Sequence, residues 1–418
     1  AFSSRDVAFT WRFALNPGAR VIDRTGYDRI SAVETPAPDV ARVVFKGVYA
    51  PYLRLFDMIL PEHLLGRERD PNSAPFNRRP IGTGPYRVGE FRPGDRLVLE
   101  AYGGYHGKKP AVPRLVMQVL PDDNSAFVRF KSGDLDVYQS VAQSQVPLVA
   151  NLPGVRVART PDLLYEHLAL NTSRPPFDDV RVRRAVALAI DKAALSRAAY
   201  AGLYPPAWCD HPPLSWAHDP TMRGIFDPGR AGRLLDEAGW LAQGGPVRSK
   251  GGRRLAFRLI TTSGKKPREL AATLIRNDLG KVGIEVAIET IPGAVLFSPQ
   301  GPLKTNEFHA AMWAWDTGID PDPTNFWHSA LLPPRGSNVT RFKNAQADRL
   351  LAAGSGTVDP ARRKAAYHKL SRLLFDQAPD IPLVYWNRVS AVRTRLQGWR
   401  PSPAGNLWNT ADWSIKSI

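Results

Sequence analysis

The alternation of apolar and polar positions along the chain predicts a mixed α/β protein. Val182, Val186 and Ile190 recur at i, i+4 and i+8, which gives a helix with one apolar face and Arg181 and Arg184 off it. Pro175 and Pro176 exclude a helix interior or central strand just before it, and Asp178 or Asp179 can cap it. Near the start, Ser3 or Ser4 caps a helix in which Val7, Trp11 and Ala14 or Leu15 share a side, before Pro17-Gly18 stops it. Residues 30–33 and 42–45 read as strands, and 59–65 as a strand end followed by a short helix. Tyr86, Val88, Leu97 and Leu99 flank Arg92-Pro93-Gly94-Asp95 in a hairpin, and 114–120 form another strand. Asp122 or Asp123 caps a helix carrying Ala126, Phe127 and Phe130, closed by Ser132-Gly133.

The second half continues in the same vein. Residues 231–238 form a helix closed by Gly239. Leu255, Phe257 and Leu259 alternate, a helix over 269–279 carries Leu270 and Leu274, and Ile284, Val286 and Ile288 alternate again. That is a βαβ unit, whose crossover is expected to be right-handed. Residues 360–377 form a basic amphipathic helix with Ala366, Leu370, Leu373 and Leu374 inward. Tyr165, Glu166 and His167 lie on a strand, where alternation puts Tyr165 and His167 on one face.

A chain of 418 residues exceeds the size of one hydrophobic core, so two or three domains are expected. Its 43% hydrophobic and 23% charged residues are those of an ordinary globular protein. No run approaches the roughly 18 apolar residues of a membrane span. The opening Ala1-Phe2-Ser3-Ser4-Arg5-Asp6 has no signal-peptide pattern, so an export signal would lie upstream. Cys209 is the only cysteine, which excludes an internal disulfide, a thiolate metal cluster and a two-cysteine redox motif. It reads as a partly buried thiol in a proline-rich loop.

The net charge of +17 raises a nucleic-acid-binding hypothesis. The basic residues are scattered, however, and the densest clusters, Arg253-Arg254 beside Lys250 and Arg362-Arg363-Lys364, are short and adjoin turns. A solvated basic surface is the preferred reading. Gly82-Thr83-Gly84 is not a phosphate loop, because no Lys-Ser/Thr pair follows. There is no Gly-x-Ser-x-Gly elbow, no His-Glu-x-x-His helix and no histidine pair at i, i+4 spacing, so an enzyme, a cofactor and a metal are not expected. The region 308–328 is the candidate for chemistry. It gathers Trp313, Trp315 and Trp327 with Asp316, Asp320 and Asp322 in what reads as a loop, the aromatic area and placed polar groups that a small-molecule site needs. Asp322 and Trp327 read better as a turn cap and a core residue.

Several segments in fixed order resemble the peptide- and nickel-type solute-binding proteins of bacterial ABC importers, extracytoplasmic family 5. They are the 171–192 run, Gly82-Thr83-Gly84-Pro85-Tyr86 with 92–100, Pro121-Asp122-Asp123-Asn124 with 131–136, 231–240 and 319–328. The resemblance implies an α/β periplasmic-binding-protein-like, two-lobed (Venus-flytrap) fold. It also implies that 1–78 is the remnant of a small accessory domain, 79–174 plus 392–418 the first large lobe and 175–391 the second, with crossings near 171–178 and 388–394. Residues 1–11 resemble a segment that family members carry after an export signal and opening strands, so an N-terminally truncated first lobe is expected. In peptide-binding relatives an aspartate of the 308–328 region holds the ligand's α-amine. Matching Trp313 to the family tryptophan gives that role to Asp316, the favoured choice; matching Trp315 makes Asp320 the family's aspartate. Tyr165 or His167 would line the cleft, and either Trp386 or Arg388, the latter by pairing a carboxylate, would meet the ligand. The implied function is capture of a peptide or similar small solute, by a monomer in the periplasm or anchored by lipid outside the cytoplasmic membrane, for delivery to an ABC permease. A nucleic-acid binder, and after it a hydrolase, are the alternatives.

Overall fold

The computed structural model describes residues 1–21, 24–68, 70–403, 405 and 407–416. The chain divides into two compact units, Ala1–Gly47, Tyr52–Thr160 and Arg388–Ile418 in one, Val48–Pro51 and Pro161–Asn387 in the other. Both long passages between them, at Thr160–Pro161 and Asn387–Arg388, fall inside strands, Val155–Leu170 and Asp380–Arg393. Residues 161–174 thus lie in the second unit, not with the 79–160 segment as expected. The cause is pairing: Leu164–Leu170 runs antiparallel to Ala310–Asp316, and Leu168 and Leu170 are buried in that unit's core. Residues 388–391, expected in the second lobe, lie in the first unit, where Ala391 and Val392 pair with Tyr138 and Val137.

In the first unit, the helix Ser4–Leu15 begins at Ser3, whose backbone N–H donates to Asp6 Oδ2 at 2.6 Å. Its inner face differs from the expected Val7–Trp11 stripe. Asp6, Ala8, Thr10 and Ala14 are buried, Val7 and Trp11 are half-buried and Leu15 is exposed. The polar residues are inside because they receive a neighbouring backbone: Asp6 Oδ1 accepts from Glu62 N at 2.7 Å and Thr10 Oγ1 from Leu60 N at 2.8 Å. Those bonds replace the strand end expected at 59–60, and the short helix Glu62–Leu65 follows. The expected strands at 30–33 and 42–45 are Ile30–Ala37 and Val40–Phe45, paired antiparallel, and Tyr86–Arg92, Arg96–Ala101 and Arg114–Gln118 form a three-stranded antiparallel meander. The helix Asp123–Ser132 is capped by Asp122, which accepts from Ser125 N at 2.8 Å, and ends at Gly133 with φ of +93°. Val112, Val392, Leu396, Trp399 and Trp413 form a buried cluster in this unit.

The second unit is built on five strands in the order Glu285–Ile291, Ala256–Thr262, Ala310–Asp316, Val155–Leu170, Asp380–Arg393. The first two are parallel and joined by the helix Lys266–Lys281, the expected βαβ unit. Leu270 is exposed on that helix and the buried face is Arg268, Ala271, Ala272, Ile275 and Leu279, because small alanines let the helix approach the sheet while Arg268 reaches a buried carboxylate. Asp179 caps Val180–Ala189, whose Val182 and Val186 are buried as their spacing predicts, with Ile190 buried just beyond it. Residues 310–316, expected in a loop, are a strand.

Asp6 makes the directional contacts that fix the first helix. Asp6→Ala is expected to lower stability by about 2–3 kcal/mol, because a buried N–H is left unpaired and a charge-assisted bond is lost. Urea unfolding checks this, and Val7→Ala, on the half-buried side, is expected to cost less.

Candidate ligand-binding site

Strand register assembles the site. Because Trp313 lies opposite His167 and Trp315 opposite Tyr165, all four side chains emerge on one face of the sheet. The His167 and Trp313 rings lie 4.2 Å apart edge-on, His167 and Trp315 4.9 Å, Tyr165 and His167 5.6 Å, and Trp313 and Trp315 are stacked at 5.8 Å. Phe326 meets Trp315 edge-on at 4.2 Å, and Trp327 stacks beyond it at 6.2 Å. All four expected residues are buried, and the cavity beside Tyr165, Trp315 and Phe326 is about 10 Å³, room for one water. That leaves no room for a ligand within the cluster.

Asp316 ends the strand opposite Leu164, and it is exposed. Its Oδ1 accepts from Gly318 N at 2.8 Å, in a turn where Gly318 has φ of +69°, and among the described residues its Oδ2 has no hydrogen-bond partner. Asp320 is committed elsewhere: Arg363 donates from Nη1 to Oδ2 at 2.9 Å and from Nη2 to Oδ1 at 2.8 Å. This bidentate pair is largely buried, and Asp320 Oδ1 also accepts from Asp322 N. Asp322 caps a turn through Thr324, and Trp327 is a core residue at 2% exposure.

Trp386 does not join the aromatic cluster. It packs with the core on the opposite face and donates from Nε1 to Glu166 Oε1 at 3.2 Å. Glu166 is the buried partner of Arg268, with Nε to Oε2 at 2.9 Å and Nη2 to Oε1 at 2.7 Å. Arg388 is half-buried in the first unit. The structure thus brings together Tyr165, His167, Trp313 and Trp315, with Asp316 following Trp315 along the strand, where alternation turns it to the other face, and sets Trp386 and Asp320 apart from them.

Behind the aromatic face lies a buried polar cluster that sequence reasoning missed. His167 Nδ1 meets Asp380 Oδ1 at 2.5 Å, and burial raises the Asp380 carboxyl against the pull of His167. His211 donates from Nε2 to Pro321 O at 3.0 Å and from Nδ1 to Asp210 at 3.2 Å, while Ser371 donates to the same Asp210 oxygen at 2.5 Å. Burial disfavours the imidazolium, yet Asp210 outweighs it and holds the His211 pKa well above its usual value. Cys209 is fully enclosed, and its backbone N–H donates to Tyr385 Oη at 3.0 Å. Cys209, Asp210 and His211 present three potential metal ligands within 4.8 Å of one another, but His211 Nδ1 and the Asp210 carboxylate are already bonded to each other and His211 Nε2 to Pro321 O. The sequence signal was there in Cys209-Asp210-His211 and in Glu166, polar positions inside apolar surroundings, but partners such as Arg268, Ser371 and Trp386 lie 102 to 220 residues away.

The chain matches the model of the bacterial extracellular solute-binding proteins, family 5 (middle region), over residues 1–338. It belongs to that family. This solute-binding protein is 32% identical over 415 residues to Protein XP55 of Streptomyces lividans, covering 95% of this chain and 74% of that one. Among solved structures it is similar to the oligopeptide-binding protein AppA from Bacillus subtilis in complex with a nonapeptide, at 25% identity and a TM-score of 0.89, covering 99% of this chain and 84% of that one. It has the same fold as NikZ from Campylobacter jejuni in complex with Ni(L-His), at 24% identity and a TM-score of 0.89, over 99% and 84% of the two chains. The α/β periplasmic-binding-protein fold expected from the sequence is the fold found.

Two outcomes follow from the buried charges. Arg268→Met is expected to destabilise the solute-binding protein by about 3–5 kcal/mol, because it strands Glu166 without its partner, and the double variant with Glu166→Gln is expected to recover much of that loss. A double-mutant cycle by urea unfolding measures both. Lys192 is buried, and burial lowers its pKa from 10.5 to about 7 against the opposing pull of Asp380. Between those values the unfolded chain binds more protons than the folded one, so this group's contribution makes stability rise with pH. The stability advantage of Lys192→Met over the parent is therefore expected to be largest below about pH 7 and to shrink towards about pH 10; unfolding of the two proteins across that range tests it.

Proposed function

We propose that this solute-binding protein captures a peptide or similar amine-bearing small solute outside the cytoplasmic membrane and delivers it to an ABC permease, with Asp316 holding the ligand's ammonium. The observation that carries the residue choice is the contrast between two aspartates of one turn. Asp320 has both oxygens filled by Arg363, whereas Asp316 is exposed, with one oxygen unengaged among the described residues, at the end of the strand that carries Trp313 and Trp315. A carboxylate in that state attracts an ammonium by charge-assisted hydrogen bonding, and the tryptophan and tyrosine edges give apolar surface for side chains. AppA, the relative solved with a nonapeptide, supports the peptide as ligand class. Binding without a covalent step fits the family, and anchoring at the outer face of the membrane or release into the periplasm is part of the same reading.

Calorimetry with short peptides and their N-acetylated forms tests the proposal. Unmodified peptides are expected to bind, with Asp316→Ala weakening them at least tenfold and acetylation doing the same to the parent protein. Equal affinity of Asp316→Ala and the parent overturns the assignment, and the absence of saturable binding by any peptide overturns the ligand class.

A further inference from the structure

A second cavity, of about 510 Å³, lies wholly within the second unit. That is the size range of small-molecule sites, and it is some distance in character from the tight aromatic cluster. Its apolar wall is Leu188 on the helix Val180–Ala189, Leu234 on Pro228–Glu237, and Trp208, Ile225 and Phe375. Ile225 and Phe375 are 54% and 41% exposed, so this apolar surface is open and not consumed by packing.

The polar lining holds four cationic side chains, Arg184, Lys192, Arg223 and Arg230, against three carboxylates. Lys192 lines the cavity and is 3% exposed. Its Nζ donates to Ala207 O at 2.9 Å and sits 4.1 Å from the centre of the Trp208 ring. An ammonium carries three donors, and among the described residues no carboxylate approaches Lys192 within ion-pair distance. Arg184, Arg223 and Arg230 also line the cavity, and among the described residues none of them pairs with a carboxylate: Arg184 donates to Asp376 O and Arg223 to Pro220 O and Met222 O. Of the three lining carboxylates, Asp210 is taken by Ser371 and His211, Asp380 by His167, and Asp376 is exposed with no ion pair among the described residues. The remaining Asp380 oxygen is sealed from solvent and has no hydrogen-bond partner among the described residues. A buried ammonium without a counter-ion is costly, and an anion supplied from outside removes that cost.

We propose that this cavity is a second binding site, taking an apolar monocarboxylate, with the carboxylate on Lys192 and the hydrocarbon against Trp208 and Leu234. The site is separate from Asp316, so the solute-binding protein would carry two ligands of opposite head-group charge. The shared chemistry is that of medium-chain and aryl-alkyl carboxylic acids.

The test uses octanoate, octylamine and octanol as probes, with tryptophan fluorescence and calorimetry as readouts, since Trp208 lines the cavity. Octanoate is expected to bind saturably, more tightly than octanol, and octylamine no better than octanol. Lys192→Met, which keeps the side-chain length and removes the charge, is expected to weaken octanoate at least tenfold while octanol is unchanged. Leu188→Trp, which fills the cavity from a partly buried position, is expected to abolish both. Asp316→Ala is expected to leave octanoate binding intact, so failure here and failure of the peptide proposal are read separately. Octylamine binding as well as octanoate, full affinity in Lys192→Met, or no saturable binding of octanoate to a folded parent protein overturns the proposal.

Discussion

The pairing of Leu164–Leu170 with Ala310–Asp316 is the constraint on which the second unit depends. Because side chains alternate along a strand, this one register decides which residues face which core. It stacks Tyr165, His167, Trp313 and Trp315 on one side of the sheet and turns Glu166 to the other, where Arg268 and Trp386 meet it. A slip by one residue would carry the glutamate into the aromatic cluster and the histidine away from Asp380. The buried ion pair and the histidine–aspartate contact therefore act as two locks on the same register, one on each face.

The polar groups of this unit are arranged in pairs whose members come from distant parts of the chain. Glu166 with Arg268, His167 with Asp380, Asp210 with Ser371 and Asp320 with Arg363 each join two elements that hydrophobic burial alone would leave free to slide. Directional bonds fix azimuth and register, while the apolar core supplies most of the driving force. The first unit uses the same logic on a smaller scale, with Asp6 and Thr10 taking the backbone of residues 60 and 62.

Much of this architecture was legible in the sequence because it rests on local signals. Periodicity and capping residues located the helices over 180–189, 228–237 and 360–377, and turn chemistry located the 86–101 hairpin. What escaped was set by non-local partners. Residues 310–316 read as a loop because turn formers, Gly318 and the Asp-Pro pairs at 320–323, follow them closely, yet pairing with residues 164–170 makes them a strand. The inner faces of the helices Ser4–Leu15 and Lys266–Lys281 were misread because buried polar residues, Asp6, Thr10 and Arg268, find partners that no periodicity rule can see. For the site, alternation correctly grouped Tyr165 with His167, but nothing local distinguished the exposed Asp316 from Asp320. Arg363, 43 residues further on, makes that difference.

Cys209 is the chain's only thiol, and it lies inside the second unit beneath the Tyr385 hydroxyl. A small disulfide reagent reaches it only when that packing opens. The rate at which the native protein takes up such a reagent therefore clocks the breathing of one defined face, without any introduced label. Slower uptake with a ligand present would show that occupancy holds this face shut.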